Sequence, residues 1–331
     1  MPLPDTATPD ERRARFRALV ANGRHDLRRF WDASFTNGAP KRENLRARMA
    51  MDGHFLEYGL SISGSAPGHG HDRAERLARD LDRYAAEFGH DSSTAIAWAM
   101  LGAWAVQARR STLDLAGIEA VLARHAPACA ASPLRGGAET VTAEAIRAAG
   151  RIDFLAFAES RHSIRSYADR PVPPEAIERA VRAAQQSPSS CNRQTCRAHI
   201  WTDPAARARV LALQNGNRGF GEQLGGVAVI TSDLAHWEQA HERYQAWVDG
   251  GMFAMSFAYG LHAEGLGAVM LNWSVTKERD AELRRLTGLP ETELVITMVG
   301  FGCLPEDLRV PVSQRRPLET ALRLNTPLAP L

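Results

Sequence analysis

Apolar side chains recur at three- and four-residue intervals through the first third of the chain. In RAERLARDLDRYAAEF, Leu77, Leu81, Tyr84 and Phe88 fall on one helical face, and residues 10–30 and 72–127 keep this spacing with few β-branched runs. The first 130 or so residues are therefore predicted to be mostly helical. AIAWAMLGAWAV (95–106), the longest apolar run, is too short to span a bilayer and predicts a buried helix. ASPLRGGAET (131–140) clusters Pro, Gly and small residues as a linker, and helix resumes in TAEAIRAAGRIDFLAFAES. The pattern divides the chain into a helical N-terminal extension over 1–135 and a second domain over 136–331.

Past residue 160 the periods are mixed. PPEAIERAVRAAQQS opens with prolines, which the first helical turn tolerates, and should turn Ile177, Val181 and Ala184 inward. AHIWT (198–202), VAVITS (227–232), AVMLNW (268–273) and ELVITMVGFG (293–302) read as strands bounded by turn formers. Between the second and third, WVDGGMFAMSFAYGLHAEGLG is apolar on nearly every side. A helix carrying Met252, Phe253, Met255, Phe257 and Tyr259 in this way belongs at a domain centre or a dimer seam.

Composition narrows the classes. The length, 331 residues and 36.2 kDa, exceeds the usual single domain, and 44% apolar, 24% charged and 7% aromatic residues describe an ordinary globular protein. A net charge of +2 gives no reason to invoke nucleic acid or membrane. Lysine occurs only at Lys41 and Lys277, so Schiff-base chemistry has few candidates while planar, bidentate anion recognition by arginine has many. Four cysteines are too few for a disulfide scaffold and point to a reducing cytoplasm. The start, MPLPDTATPDERRARF, lacks the apolar segment of a secretory signal.

Several motifs carry little. NGNRGFGEQLGG (215–226) precedes a strand, whereas a dinucleotide fingerprint follows one, and no Walker-type GxxxxGK occurs. His69 and His71 in APGHGHD read as a solvated glycine loop, and His54 with Glu57 as a surface polar pair. Cys191 and Cys196 are not spaced as a CxxC redox pair.

Four segments stand out together. SRHSIRSY (160–167) sets two arginines and a histidine among hydroxyl side chains, the donor set for a phosphate. QQSPSSCNRQTC (185–196) ends a helix in a loop of short donors and acceptors, Ser187, Ser189, Ser190, Asn192 and Gln194, suited to a planar heteroatom-rich ring. EGLGAVMLNW (264–273) puts a glycine turn before a strand ending in Asn272, and SQRRPLE (313–319) brings Arg315 and Arg316. Singly, each is also what a solvated helix exit or polar loop looks like.

In order, RHSIRSY, PSSCNRQ, a buried helix closing in EGLG, VGFG and RRPLE resemble the FMN-dependent nitroreductase family from about residue 155 to 322. The resemblance implies an α+β fold, a nitroreductase-like mixed sheet flanked by helices, in a homodimer with FMN at the interface. By matching positions, Arg161, His162 and Ser163 would hold the FMN phosphate and ribityl chain, joined by Arg315 and Arg316, and Arg165 would lie near the pyrimidine edge. Ser189, Ser190 and Asn192 would come from the partner protomer, Pro188 and Gln194 of the same loop would also bind the cofactor, Asn217 would sit beside the ring, and Met270, Leu271 and Asn272 would line its face and N5 edge. The implied activity is ping-pong hydride transfer from NAD(P)H to an electron-poor small-molecule acceptor of nitroaromatic, quinone or enone type, with no amino-acid nucleophile or metal required. Alternatives are a flavin dehydrogenase or oxidase of a biosynthetic intermediate, or a non-catalytic flavin binder. Departures from the family pattern fall on the substrate side: NRQTC stands where relatives read NQP plus an aromatic, Phe220 or its neighbours replace a lysine near Asn217, and Asn272 replaces a glutamate. The extension is expected to cap the flavin entrance or enlarge the dimer.

Overall fold

The structure, a computed structural model, describes residues 8–38 and 41–325. The outermost residues of both expected regions therefore lie outside the described part.

Five helices form the extension: α1 (Pro9–Ala33), α2 (Arg42–Ser61), α3 (His71–Phe88), α4 (Ser92–Ala108) and α5 (Ala116–Cys129). Their starts follow from local chemistry. Thr8 and Glu11 form a reciprocal capping box with Pro9 in the first turn of α1, and the Asp91 carboxylate accepts from the Ser93 and Thr94 amides to open α4. Leu77, Leu81 and Tyr84 are buried as the spacing required, packing with Leu45, Leu101 and Trp104, while Phe88 at the helix end stays 38% exposed. The apolar run at 95–106 lies within α4, and among the described residues no helix is long and apolar enough to cross a membrane.

The segment 131–140 is coil, as its composition suggested, but it is fastened down. The Gly137 amide donates to Glu57 at 2.9 Å, and a Cβ at Gly136 would come within 2.4 Å of the Met100 backbone nitrogen. Glu57, weighed above as a partner of His54, thus serves to hold this strap against α4.

Beyond it come α6 (Ala143–Ala149), α7 (Phe154–Ser160), α8 (Pro174–Gln185), α9 (Pro204–Leu211), α10 (Gln245–Ala263) and α11 (Lys277–Thr287), with strands β1 (Cys196–Trp201), β2 (Gly226–Asp233), β3 (Leu266–Asn272) and β4 (Glu293–Cys303). The sheet order is β1-β2-β4-β3 with every ladder antiparallel, and the mixed character is confined to one parallel bridge, Ser163 to Ala268. All residues of β2 are buried, as a central strand covered on both faces must be.

One face of the sheet packs on α8 and α10. Phe253, Phe257 and Leu261 meet Ile230, Val299 and Phe301, with the Phe257 and Phe301 rings edge to face at 6.2 Å and 87°. Along α8 the fully buried stripe is Ala176, Ala180 and Ala184, and the larger Ile177 and Val181 are only partly covered. Small residues win there because α10 approaches closely: a Cβ at Gly260 would lie 2.7 Å from Ala180 Cα. The other face gathers Val227, Val229, Leu271, Met298 and Leu283. The apolar helix is thus central to its own domain on one side, while Trp247 and Val248 on the other are 47% and 52% exposed.

The extension is joined to the sheet region at residues 233–242. Phe30 and Ala33 pack with Leu234, Trp237 and Ala246, the Phe35 amide donates to the Trp237 carbonyl at 2.8 Å, and Asn44 donates to the Ala235 carbonyl. Arg29 reaches the Glu291 and Glu293 carbonyls at 3.0 and 3.1 Å.

Two outcomes test this packing. Gly260→Val should lower unfolding stability by about 1–3 kcal/mol, the usual cost of overpacking, read as a shifted denaturant midpoint. Glu293 supplies the second. Burial pushes its carboxyl up, but hydrogen bonds from His199 and Thr231 and the charge of Arg197 outweigh that and hold it below the ordinary range. A depressed folded-state value contributes stability above the unfolded pKa, about 4.3, that is lost as pH falls through the folded value. Glu293→Gln should therefore be less stable than the parent at neutral pH and show a shallower loss on acidification; superimposable pH–stability curves would count against this.

Candidate functional site

Arg161 follows the last turn of α7, and residues 161–167 then lie along β3, with the Ile164 amide donating to Ala268 at 3.0 Å. Ile164 and Tyr167 are each only 7% exposed, and the Tyr167 hydroxyl donates to the Ile164 carbonyl at 2.7 Å. Burial drives the Tyr167 phenol strongly upward, so it stays protonated as that donor. The glycines of EGLG and VGFG make the fit possible. A Cβ at Gly267 would sit 2.9 Å from Ile164 Cγ2, and one at Gly302 2.8 Å from Tyr167 Cδ1. With Ile164 and Tyr167 turned in, Arg165 is left exposed along the outer side of an edge strand.

Arg161 and His162 line a cavity of about 220 Å³ with Ser160, His262, Leu304 and Leu308. Arg161 Nε is buried there without a hydrogen-bond partner, an arrangement that a bound acceptor would resolve. His262 is 2.8 Å from Ser160 Oγ, and burial, followed by the nearby Arg161 charge, pushes its imidazole down. The region is cationic and rich in donors.

The loop after α8 is held in an unusual backbone shape. Cys191, Asn192 and Gln194 have φ of 51°, 52° and 49°, the left-handed region that non-glycine residues avoid. Fixed bonds maintain it: the Ser190 amide donates to Asp249 at 3.0 Å, the Gln194 amide to Ser189 Oγ at 3.0 Å, and Ser187 Oγ to Ser256 Oγ at 2.7 Å. Pro188, Ser189 and Gln194 line a recess of about 90 Å³ with Cys196 and Asp249. Asp249, 1% exposed, is a residue the sequence reading missed. A single carboxylate inside the apolar run WVDGGMF was the signal available.

Other expected site residues lie elsewhere in the single chain. Asn217 spends its amide donors on the Leu211 and Gln214 carbonyls, at 2.8 and 2.9 Å, and borders a separate cleft of about 660 Å³ with Arg207, Arg218 and Phe220. The organising residue is Gln214, also overlooked. It is 6% exposed, donates to the Asn272 carbonyl at 2.9 Å and accepts from the Gly216 amide at 2.5 Å, tying the 214–217 loop to the end of β3. Met270 and Asn272 are exposed, but Leu271, 3% exposed, alternates into the core, so its side chain cannot line a ligand. Arg315 and Arg316 are exposed in the C-terminal segment, where Arg315 donates to its own Ser313 carbonyl at 2.9 Å. Neither lines the Arg161 cavity, whose C-terminal wall stops at Val310. The expected grip of Arg161 and Arg315 on one anion is not formed within a single chain. Among the described residues of that tail the large apolar side chains are exposed, with Val312, Leu318 and Leu324 at 84%, 72% and 78%.

Known proteins supply an independent measure. The family profile described as Nitroreductase family matches residues 158–218. A protein of Archaeoglobus fulgidus named as an NADH dehydrogenase/NAD(P)H nitroreductase is 30% identical over 150 residues, which are 45% of this chain and 83% of that protein. This chain belongs to the nitroreductase family. Among solved structures, a protein of Parabacteroides distasonis titled as an NADH dehydrogenase/NAD(P)H nitroreductase is 22% identical with a TM-score of 0.47, over 53% of this chain and 99% of that one. A nitroreductase of Desulfovibrio desulfuricans in complex with FMN is 23% identical with a TM-score of 0.46, over 54% and 99% of the two chains. The nitroreductase profile spans both the Arg161 segment and the strained loop.

Within this nitroreductase the Gln214 link gives a direct test. Gln214→Ala leaves the Gly216 amide and the Asn272 carbonyl without their partner, which should cost about 1–3 kcal/mol. Faster amide exchange should appear at 214–217 and at the end of β3 while α3 and α4 keep their protection.

Proposed function

We propose that the protein is a homodimeric FMN-dependent oxidoreductase that takes hydride from NAD(P)H and passes it, by ping-pong turnover, to an electron-poor acceptor of nitroaromatic, quinone or enone type. The observation that carries this reading is the buried, unpartnered Nε of Arg161, in a cavity shared with His162 and beside the outward-facing Arg165. Those residues fit the phosphate end of FMN: guanidinium and hydroxyl donors satisfy phosphate oxygens through charge-assisted hydrogen bonds. When bound, FMN supplies the two-electron redox chemistry, which the side chains around the cavity do not offer themselves.

Each part of the chain then has a task. Arg161, His162 and Ser163 hold the phosphate and ribityl chain, Arg165 places positive charge beside the pyrimidine edge, and Met270 with Asn272 faces the ring from β3. The Pro188–Ser189–Ser190 turn, Asn192 and Gln194 are supplied by the partner subunit, consistent with their lying in a different recess from Arg161 within one chain. Arg315 and Arg316 reach phosphate only once assembly lays the exposed tail down. Asn217, committed to its own loop, acts by positioning the end of β3 through Gln214. Residues 136–331 form the flavin-binding unit and 1–135 the extension that covers it. The NAD(P)H donor is supported by the name of the Archaeoglobus fulgidus relative.

Purified protein titrated with FMN should quench flavin fluorescence at a stoichiometry of one per subunit. Arg161→Ala should weaken that binding about 10- to 100-fold, since one charge-assisted contact contributes roughly 1.5–3 kcal/mol. Flavin bleaching by NADH or NADPH, and parallel double-reciprocal plots against a nitroaromatic, should follow. Failure to bind FMN, or full affinity in the Arg161 variant, would overturn the reading.

A further inference from the structure

Where the extension meets the sheet region, three side chains with metal-ligating atoms converge. Glu43 lies on α2, Asp233 ends β2 and His236 belongs to the 3-10 turn Leu234–His236, and one ligand atom from each lies within 4.8 Å of the others. We propose that this trio binds a divalent transition cation that clasps the helical extension to the sheet.

His236 is the observation that sets the site apart from an ordinary ion-pair cluster. The residue is 7% exposed, and its Nδ1 is buried with no hydrogen-bond partner. Asp233 Oδ2 stands 3.7 Å from Nδ1, and Glu43 Oε2 3.8 Å from Nε2. Those gaps are too wide for hydrogen bonds. On the Nδ1 side, a nitrogen and a carboxylate oxygen that share one ion at about 2.0–2.2 Å each stand apart by a similar amount, whereas Glu43 faces the other ring nitrogen and has to swing round to reach an ion held at Nδ1. Glu43 has freedom to close the remaining gap, since its side chain is 28% exposed.

The surroundings fit the same role. Arg197 donates to Asp233 Oδ2 at 3.2 Å, the Ala235 amide donates to Oδ1 at 3.0 Å, and Arg46 holds Glu43 at 3.1 Å. Outer partners of this kind orient ligating carboxylates. Arg197 also pairs with Glu293 at 3.0 Å, so the carboxylates of Glu43, Asp233 and Glu293 share the guanidiniums of Arg46 and Arg197, and Glu293 is bonded by His199 and Thr231 as well. Glu43 and His236 open on a cavity of about 350 Å³ between α2, α4 and the strained loop, which leaves room for water ligands. One imidazole with two carboxylates suits Zn²⁺ or Mn²⁺ better than Mg²⁺ or Ca²⁺, which take oxygen donors.

The test uses the full-length, FMN-loaded protein, treated with EDTA, dialysed and offered ZnCl₂, MnCl₂ or MgCl₂. Mass-spectrometric metal analysis should find one equivalent of Zn²⁺ or Mn²⁺ and little Mg²⁺, with a raised melting temperature. Glu43→Gln and His236→Ala should each weaken uptake by at least about tenfold. The flavin spectrum serves as control and should not change, so failure here is distinguishable from failure of the flavin reading. If His236→Ala does not fold, Glu43→Gln, on a partly exposed helix face, decides. No stoichiometric uptake by the parent protein, equal uptake of Mg²⁺, or undiminished uptake in Glu43→Gln would each overturn the proposal.

Discussion

The seating of Ile164 and Tyr167 against glycines decides where the cations of the 161–165 stretch can point. Side-chain carbon at Gly267 or Gly302 would collide with these two residues, so the absence of a Cβ on two neighbouring strands is what lets an irregular segment lie on a finished sheet edge. Once seated, the segment is closed by the Tyr167 hydroxyl on the Ile164 carbonyl and by the Ser163–Ala268 bridge. The side chains between the two anchors then have no freedom to turn inward. Donor placement is therefore a consequence of core packing, which is more precise than a mobile loop would allow.

Arginine abundance, which suggested anion recognition, turns out to be spent largely within the chain. Arg76 and Arg73 converge on Asp52, which is fully buried, Arg48 grips Asp80 with two donors, and Arg284 holds Asp280 at 2.8 Å. Planar guanidiniums suit such bidentate pairs better than ammonium groups do. The first two sets tie α2 to α3, and the third lies within α11. Arg29 Nε and Arg284 Nη2 are also buried without a partner, but Arg161 differs in lining a cavity, so room for a ligand beside the donor, more than charge, sets it apart from the structural arginines.

Much of the architecture was legible because it rests on short-range periodicity. The α3 stripe, the four strands and the apolar α10 follow from spacing alone. The side-chain placements that spacing could not foresee share a different cause. Leu271 was grouped with its neighbours by position, although alternation along a strand sends it to the opposite face. Asn217 has the right chemistry for a ligand, but its own loop carbonyls compete for the same amide and are closer. Arg315 and Arg316 sit in a stretch, 311–325, whose described residues are all exposed, so no local burial signal marked where they would point. Gln214 and Asp249 were overlooked because a single polar residue shows its importance only through burial, which depends on the whole fold.

The extension and the strained loop are coupled at Arg193, which Met51 of α2 also touches. Arg193, 6% exposed, lies between Asn192 and Gln194, and its guanidinium stacks on Trp237 at 5.1 Å while donating to Glu242 at 2.7 Å and to the His236 carbonyl at 3.2 Å. Trp237, fully buried, is also the residue against which Phe30 and Ala33 of α1 pack, and its carbonyl receives the Phe35 amide. Left-handed backbone at Asn192 and Gln194 costs on the order of 1–3 kcal/mol per residue and persists only where the surroundings over-determine it. A buried arginine fixed by a salt bridge, a stacked indole and a carbonyl provides that constraint. The helical region thereby reaches the loop: α1 packs on Trp237, Trp237 seats Arg193, and Arg193 sits between two residues held in left-handed backbone whose amides donate to Ser189.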